Sequence, residues 1–265
     1  TRSICSLLEE QQKKTIPVIS KALALFSEKK VEDFVLIAGR IDIPNKNFFK
    51  KDPLNIIKLF YYSMKTDVLI HPNAVRVLRE NLGLINKDLR QNENAKKIFL
   101  EILLSKKNPE ETLRQMNETG VLGRFILDFG KIVGLMQFNM YHHYTADEHL
   151  LRAIGELNKL FSGKNKNITK LISEVINSGL SKKILTIALL FHDIAKGRDE
   201  DHSIAGARIV KKFSKRFNLS DYELETISWL VREHLIMSFF SQTRDVMDAK
   251  TVADFSLKVQ TPERL

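Results

Sequence analysis

Ile184-Leu-Thr-Ile-Ala-Leu-Leu-Phe191-His192-Asp193 joins an apolar run to an imidazole and a carboxylate. The run has the length and continuity of a buried helix, expected over 181–191. A carboxylate is disfavoured at a helix C-terminus, where the backbone dipole is already negative. Asp193 therefore calls for a positive partner, and a divalent cation held by neighbouring N and O donors supplies one.

Four of the seven histidines fall into one pattern around this stretch. His149 follows Asp147 and Glu148 at the start of a helix-like segment, and His202 and His234 each lie at the edge of another. Singly, these residues read as a polar first-turn residue, a turn histidine and a complement to a helix dipole. Together with His192 and Asp193, on three or four helices able to converge, they read as a metal site.

The rest of the chain reads as mostly helical, an all-α fold with one small β element. Helical spacing is expected over 3–29, from Asp52-Pro53 onward, after His71-Pro72-Asn73, over 95–104, 109–117, 146–161, 181–191, 203–217 and 220–235. Asp52 is expected to cap the helix that Pro53 opens, Gly83 to stop the one begun near His71, and Ser220 with Glu223 to form a capping box. Phe34–Ala38 and Ile41–Ile43 flank Gly39-Arg40 and predict a hairpin within 31–43. Gly163-Lys-Asn-Lys-Asn167 predicts an exposed loop. Two regions are expected: 1–135, helical with the β element, and 136–265, carrying the histidines.

No apolar run approaches the roughly 20 residues of a membrane span. The single cysteine, Cys5, excludes an intrachain disulfide framework and fits a reducing cytoplasm. The formal charge of +10 invites a nucleic-acid groove, but the lysines are spread over almost every helix-like segment with no basic run interleaved with aromatics. A solvated surface, an anionic phosphate substrate or an acidic protein partner accounts for the excess better.

His149 followed by His192-Asp193 resembles the signature of the HD-domain superfamily of metal-dependent phosphohydrolases, and His202 and His234 match the extra histidines of its two-metal members. A closer resemblance is to the bifunctional PII uridylyltransferase/uridylyl-removing enzyme family. It rests on Met136-Gln-Phe-Asn-Met-Tyr-His-His-Tyr-Thr-Ala-Asp-Glu-His149, Phe191-His-Asp-Ile-Ala-Lys-Gly-Arg198, Asp201-His-Ser203, Trp229-Leu-Val-Arg-Glu-His-Leu235 and Arg244-Asp245. Upstream, Arg114-Gln-Met-Asn-Glu-Thr-Gly-Val-Leu-Gly-Arg124 resembles the helical segment that joins the family's nucleotidyltransferase and HD domains.

The resemblance implies hydrolysis of the phosphodiester linking UMP to a tyrosine of the PII nitrogen-signalling protein in its uridylylated form. It implies two divalent ions bridged by Asp193, one held by His149 and His192, the other by His202 and His234. Mn2+ is the ion it points to, with Mg2+ as a substitute, and Lys196 and Arg198 are the expected contacts to substrate phosphate. The nucleotidyltransferase motif and the glutamine-sensing ACT domains are not in the sequence, so a middle portion of that enzyme is expected, without uridylyl transfer. The family's final aspartate ligand is expected just beyond Leu265; Asp245, Asp248 and Asp254 do not sit in its motif. Two other readings share the residues: an HD phosphohydrolase of free nucleotides such as guanosine polyphosphates, and a catalytically incomplete docking fragment.

Overall fold

The computed structural model describes residues 30–136, 144–163, 174, 176 and 179–265. The helix expected over 3–29, most of the 163–167 loop and the 137–143 part of the Met136–His149 motif lie outside them. The described residues are mostly helical, with one small sheet. Their backbone packing separates two units, one running to Ile102 with Gln115–Phe125, the other comprising Leu103–Arg114 and Ile126–Leu265.

In the first unit, strands β1 (Lys30–Val31), β2 (Phe34–Ile37) and β3 (Arg40–Asp42) form an antiparallel sheet in that order. Ile37 pairs with Arg40 across Ala38-Gly39, and both turn residues have positive φ, 51° and 74°. A two-residue turn of that hand matches the twist of the strands it joins, which is why glycine sits there. β1 adds a short third strand to the expected hairpin. Helices α1 (Phe48–Lys51), α2 (Asn55–Thr66), α3 (Pro72–Glu80), α4 (Lys87–Gln91) and α5 (Glu93–Leu103) follow.

Two helix ends differ from the sequence expectation. Asp52 accepts a hydrogen bond from the Leu54 amide at 3.0 Å, so it closes a turn two residues before α2 instead of capping it. α3 ends at Glu80, before Gly83, which lies in the 3-10 turn Leu82–Leu84. At the start of α3, the His71 side chain is the cap.

That cap belongs to a buried polar cluster. Asp42 Oδ1 accepts the Ile43 amide at 2.8 Å, and the Asn73 side-chain amide donates to Oδ1 at 3.0 Å and Oδ2 at 3.2 Å. His71 Nδ1 lies 3.1 Å from Asp42 Oδ2 and 3.2 Å from the Asn73 backbone amide. The first contact requires a proton on Nδ1 and the second a lone pair, so each tautomer satisfies one of them. Burial raises the Asp42 carboxyl, but hydrogen bonds from His71, Ile43 and Asn73 outweigh it and leave it below its ordinary value. A carboxyl depressed in the folded state stabilises above its unfolded value, near pH 4, and loses that contribution as pH falls through the folded value. Asp42→Ala is therefore expected to destabilise the first unit by about 3 kcal/mol at pH 7. Urea unfolding between pH 2 and 7 should show the gap between wild type and variant narrowing below pH 4; a gap independent of pH would contradict the ionised cluster.

The rest comprises α6 (Pro109–Glu118), α7 (Val121–Phe125), α8 (Leu127–Gly130), α9 (Ala146–Phe161), α10 (Lys182–Phe191), α11 (His202–Phe217), α12 (Asp221–Arg232), α13 (Ile236–Thr243) and α14 (Ala249–Val259). The core of the second unit is built from α9 to α12. The hydroxyl of Ser181 accepts the Ile184 amide at 3.3 Å, and the Ser220–Glu223 capping box is formed. Gly206 lets α11 approach two neighbours: a Cβ there would lie 2.9 Å from Val231 Cγ1 of α12 and 3.3 Å from the Phe191 carbonyl of α10. α13 and α14 complete the chain, Asp248 capping α14 through the Thr251 amide at 3.2 Å. Among the described residues, no helix is long and apolar enough to cross a membrane.

Candidate metal centre

Each histidine of the pattern stands at a helix end, where the backbone fixes its direction. His149 lies in the first turn of α9, its amide donating to Thr145 O at 2.9 Å. His192 ends α10, and Asp193 follows in a turn in which Ile194 N donates to Phe191 O at 3.2 Å. His202 opens α11 directly after the cap Asp201, whose Oδ1 accepts the Ser203 and Ile204 amides at 2.9 and 3.0 Å. His234 falls in the turn between α12 and α13.

The four imidazoles converge on Asp193, and its two oxygens divide them. Oδ2 lies 3.4 Å from His192 Nε2 and 3.7 Å from His149 Nε2. Oδ1 lies 3.6 Å from His234 Nε2 and 3.7 Å from His202 Nε2. The two groups, His149/His192/Asp193 and Asp193/His202/His234, each bring three donor atoms within 4.8 Å of one another. Two donors about 2.1 Å from one ion and about 100–110° apart stand roughly 3.2–3.4 Å from each other, close to the distances found.

The donors are also left in the form a cation needs. His192 Nδ1 lies 2.9 Å from Leu189 O and His234 Nδ1 lies 2.8 Å from Val231 O. A carbonyl only accepts, so Nδ1 carries the proton in both, and Nε2 presents its lone pair to the site. His149 Nε2 is 3.2 Å from the bare Nε2 of His192, so a proton or cation must lie between them. Asp193 Oδ1 and His202 Nε2 are buried and have no hydrogen-bond partner. Buried polar atoms are rarely orphaned without reason, and a cation between these two satisfies both. The residues fit a divalent ion at each triad.

Burial by itself would raise the Asp193 carboxyl, but His192 and then Lys196 hold it well below the usual carboxylate range. Burial pushes the His234 imidazole below its ordinary value and favours the neutral, ligating form. Lys196 Nζ lies 2.7 Å from Asp193 Oδ2 and is itself half-buried, so this cation belongs to the site. Arg198 instead donates to Asp128 Oδ1 at 2.8 Å, a pair 70 residues apart that local spacing gives no means of finding. Downstream, Asp254 pairs with Arg244, Asp245 accepts the Met247 amide and Asp248 caps α14. None of the three belongs to either triad.

Comparison with known families gives two matches in series. Residues 34–125 match the family described as the uridylyltransferase GlnD third domain, and residues 140–253 match the HD domain. The mostly helical fold with its small β element agrees with an HD-domain fold preceded by a helical linker. An HD domain carrying two candidate metal triads supports metal-dependent hydrolase activity. With the third-domain match ahead of the HD match on one chain, the protein is identified as the linker and HD region of the bifunctional PII uridylyltransferase/uridylyl-removing enzyme family, GlnD.

Proposed function

We propose that this chain removes UMP from a uridylylated tyrosine of the PII signalling protein, using two divalent ions, Mn2+ by preference and Mg2+ as a substitute. The observation that carries the reading is the division of Asp193, one oxygen facing His149 and His192, the other His202 and His234. In this reading Asp193 is the shared ligand and the four histidines complete the two pockets. Mixed imidazole and carboxylate donors suit Mn, Fe, Co or Zn better than Mg alone.

Divalent ions bound there supply Lewis acidity, acidifying water and offsetting charge on the phosphoryl oxygens. The chain's own residues do the rest. The backbone carbonyls of Leu189 and Val231 keep His192 and His234 in the ligating tautomer. Lys196 is the residue assigned to substrate phosphate, since its ammonium already stands at the site. The water oxygen bonds to phosphorus and gives up a proton, the P–O bond to tyrosine breaks, and the departing phenolate oxygen takes up a proton. Phenol ionises near pH 10, so its oxygen leaves without a strong general acid. The reading also places the chain among partners: PII as substrate, and the nucleotidyltransferase and ACT domains of the family as neighbours.

UMP release from uridylylated PII, with Mn2+ at neutral pH, tests this. Wild type is expected to release UMP, and His192→Ala to lose the activity by roughly 10²–10³-fold. Free guanosine polyphosphate, offered in parallel, should turn over far more slowly. Faster cleavage of the free nucleotide would replace the PII reading, and metal uptake with no release from either substrate would favour a docking role.

A further inference from the structure

Arg114 lies outside both triads, yet its guanidinium is committed to the residue beside His149. Its Nη2 donates to Glu148 Oε1 at 2.6 Å and its Nε donates to Glu148 Oε2 at 3.2 Å, a two-pronged grip on one carboxylate. Nη2 also donates to Glu110 Oε1 at 2.8 Å. From one turn further along α9, Arg152 Nε reaches Glu148 Oε1 at 2.9 Å, and its guanidinium lies 4.0 Å from the centre of the Tyr144 ring. Arg114 and Glu148 are both largely withdrawn from solvent, with side chains 20% and 25% exposed. The guanidinium is pushed above its ordinary value, the Glu148 hydrogen bond contributing most. Two turns along α9 from Glu148, Gly155 leaves the space that the Glu110 side chain occupies, so Pro109–Arg114 lies against α9.

The first turn of α9 needs such support. Thr145, at its N-cap, makes no side-chain capping bond. The turn is held from outside, by Ala146 N donating to Leu135 O at 2.9 Å, by Gly134 N donating to Asp147 Oδ1 at 3.1 Å, and by Arg114 on Glu148. Released from Arg114, Glu148 would keep only the contact from Arg152 of its own helix among the hydrogen bonds named above, and its carboxylate, adjacent in sequence to a candidate ligand, could turn that helix end or compete for the ion. We propose that Arg114 is a positioning residue for His149: its fork on Glu148 fixes the first turn of α9 and keeps that carboxylate out of the metal pocket. The proposal rests on the two-ion reading above. It adds a residue of α6, within the third-domain match and outside the HD match, one that neither triad contains.

The test is Mn2+ titration of the full chain after metal removal, followed by calorimetry and by electron paramagnetic resonance, with melting curves alongside. Wild type is expected to take up two ions, with a spin-coupled spectrum, and His149→Ala and His202→Ala identify which uptake step belongs to which pocket. Arg114→Gln should weaken the step that His149→Ala removes by about 10- to 100-fold, the range for a residue that orients a ligand. The step that His202→Ala removes should stay unchanged, and the spectrum should become that of an isolated ion. Arg114→Lys, which keeps the charge and loses the fork, should recover only part of the affinity. Glu148→Gln probes the same contact from its other end should Arg114→Gln fold poorly, and it is expected to weaken the same step. Lys183→Gln removes a 2.6 Å ion pair to Glu223 elsewhere in the same unit and should leave both steps unaltered. Equal weakening of both steps with a lower melting temperature would reduce Arg114 to a structural residue and overturn the proposal, as would two unchanged steps. No uptake by wild type would overturn the metal reading itself, and this inference with it.

Discussion

Asp193→Asn is expected to abolish ion uptake at both triads together and to lower hydrolysis by roughly 10³-fold. Among the described residues no other side chain contributes to both groups, since His149 and His192 face Oδ2 while His202 and His234 face Oδ1. Loss of a single histidine should leave one pocket able to bind, so the five ligand variants sort into one that empties both pockets and four that empty one. Thermal shift gives a readout independent of turnover. Mn2+ at 100 times its dissociation constant stabilises the folded state by about 2.7 kcal/mol for each site filled, a rise of roughly 5–10 °C per site for a domain of this size. Wild type should show that rise and Asp193→Asn none. The substitution also acts without metal. A carboxyl whose folded value is depressed adds stability above its unfolded value, near pH 4, and loses it as pH falls through the folded value. At pH 7 the metal-free variant should therefore melt below metal-free wild type, because Lys196 then faces an uncharged amide. Full Mn2+-induced stabilisation of Asp193→Asn would show that the ions, if bound, do not share this carboxylate.

What the sequence discloses of the fold and the site divides along the length scale of the interactions. The capping box at Ser220 and Glu223 is a three-residue pattern, and it forms as the pattern predicts. The run ending at His192 fixes a buried helix by its apolar continuity, and its C-terminal carboxylate is conspicuous because the helix dipole disfavours it. The convergence of His149, His202 and His234 on that carboxylate is a tertiary fact, which the sequence offered as a pattern of histidines at helix edges and the family resemblance as a ligand set. The division of its two oxygens, and the orphaned state of Oδ1 and His202 Nε2, exist only in the folded site and left no mark on the sequence. The same holds for the pairing of Arg198 with Asp128 and of Arg114 with Glu148, which span 70 and 34 residues. No local periodicity carries such a pairing. α13 and α14 escaped for another reason. They bury few side chains, α13 none, so their apolar residues do not mark a core-facing helix. At α2, Asp52 does act as a capping-type acceptor, but on a turn that precedes the helix, because Leu54 and not Pro53 is the last residue before it.

Phe191→Ala should be the most damaging single truncation beside the site, costing about 3–5 kcal/mol. The side chain is 1% exposed, and its ring centre lies 4.7 Å from that of Phe213 on α11. Its carbonyl faces Gly206 of the same helix as Phe213, and Gly206 in turn abuts Val231 of α12. One residue thus ties α10 to α11 just before His192, while α11 carries His202 and the turn after α12 carries His234. The ring supplies dispersion and burial that a methyl group cannot, and the cavity left by its removal should let α10 shift against its neighbours. Because His192 is the next residue, stability and ligation should fall together. Phe217→Ala, which breaks the 4.0 Å stack with Phe213 at the far end of α11, should lower stability while leaving Mn2+ affinity within about twofold under native conditions, since about 22 Å of helix separates it from His202 at the other end of α11. Phe191→Leu, which keeps most of the volume, should cost less than about 1.5 kcal/mol and retain binding. Urea unfolding and Mn2+ titration of the three variants decide the matter. Equal affinity losses for Phe191→Ala and Phe217→Ala would mean that the pocket responds to global softening. A loss confined to Phe191→Ala would mean that the packing of this one ring holds the helix ends at the spacing the ions require.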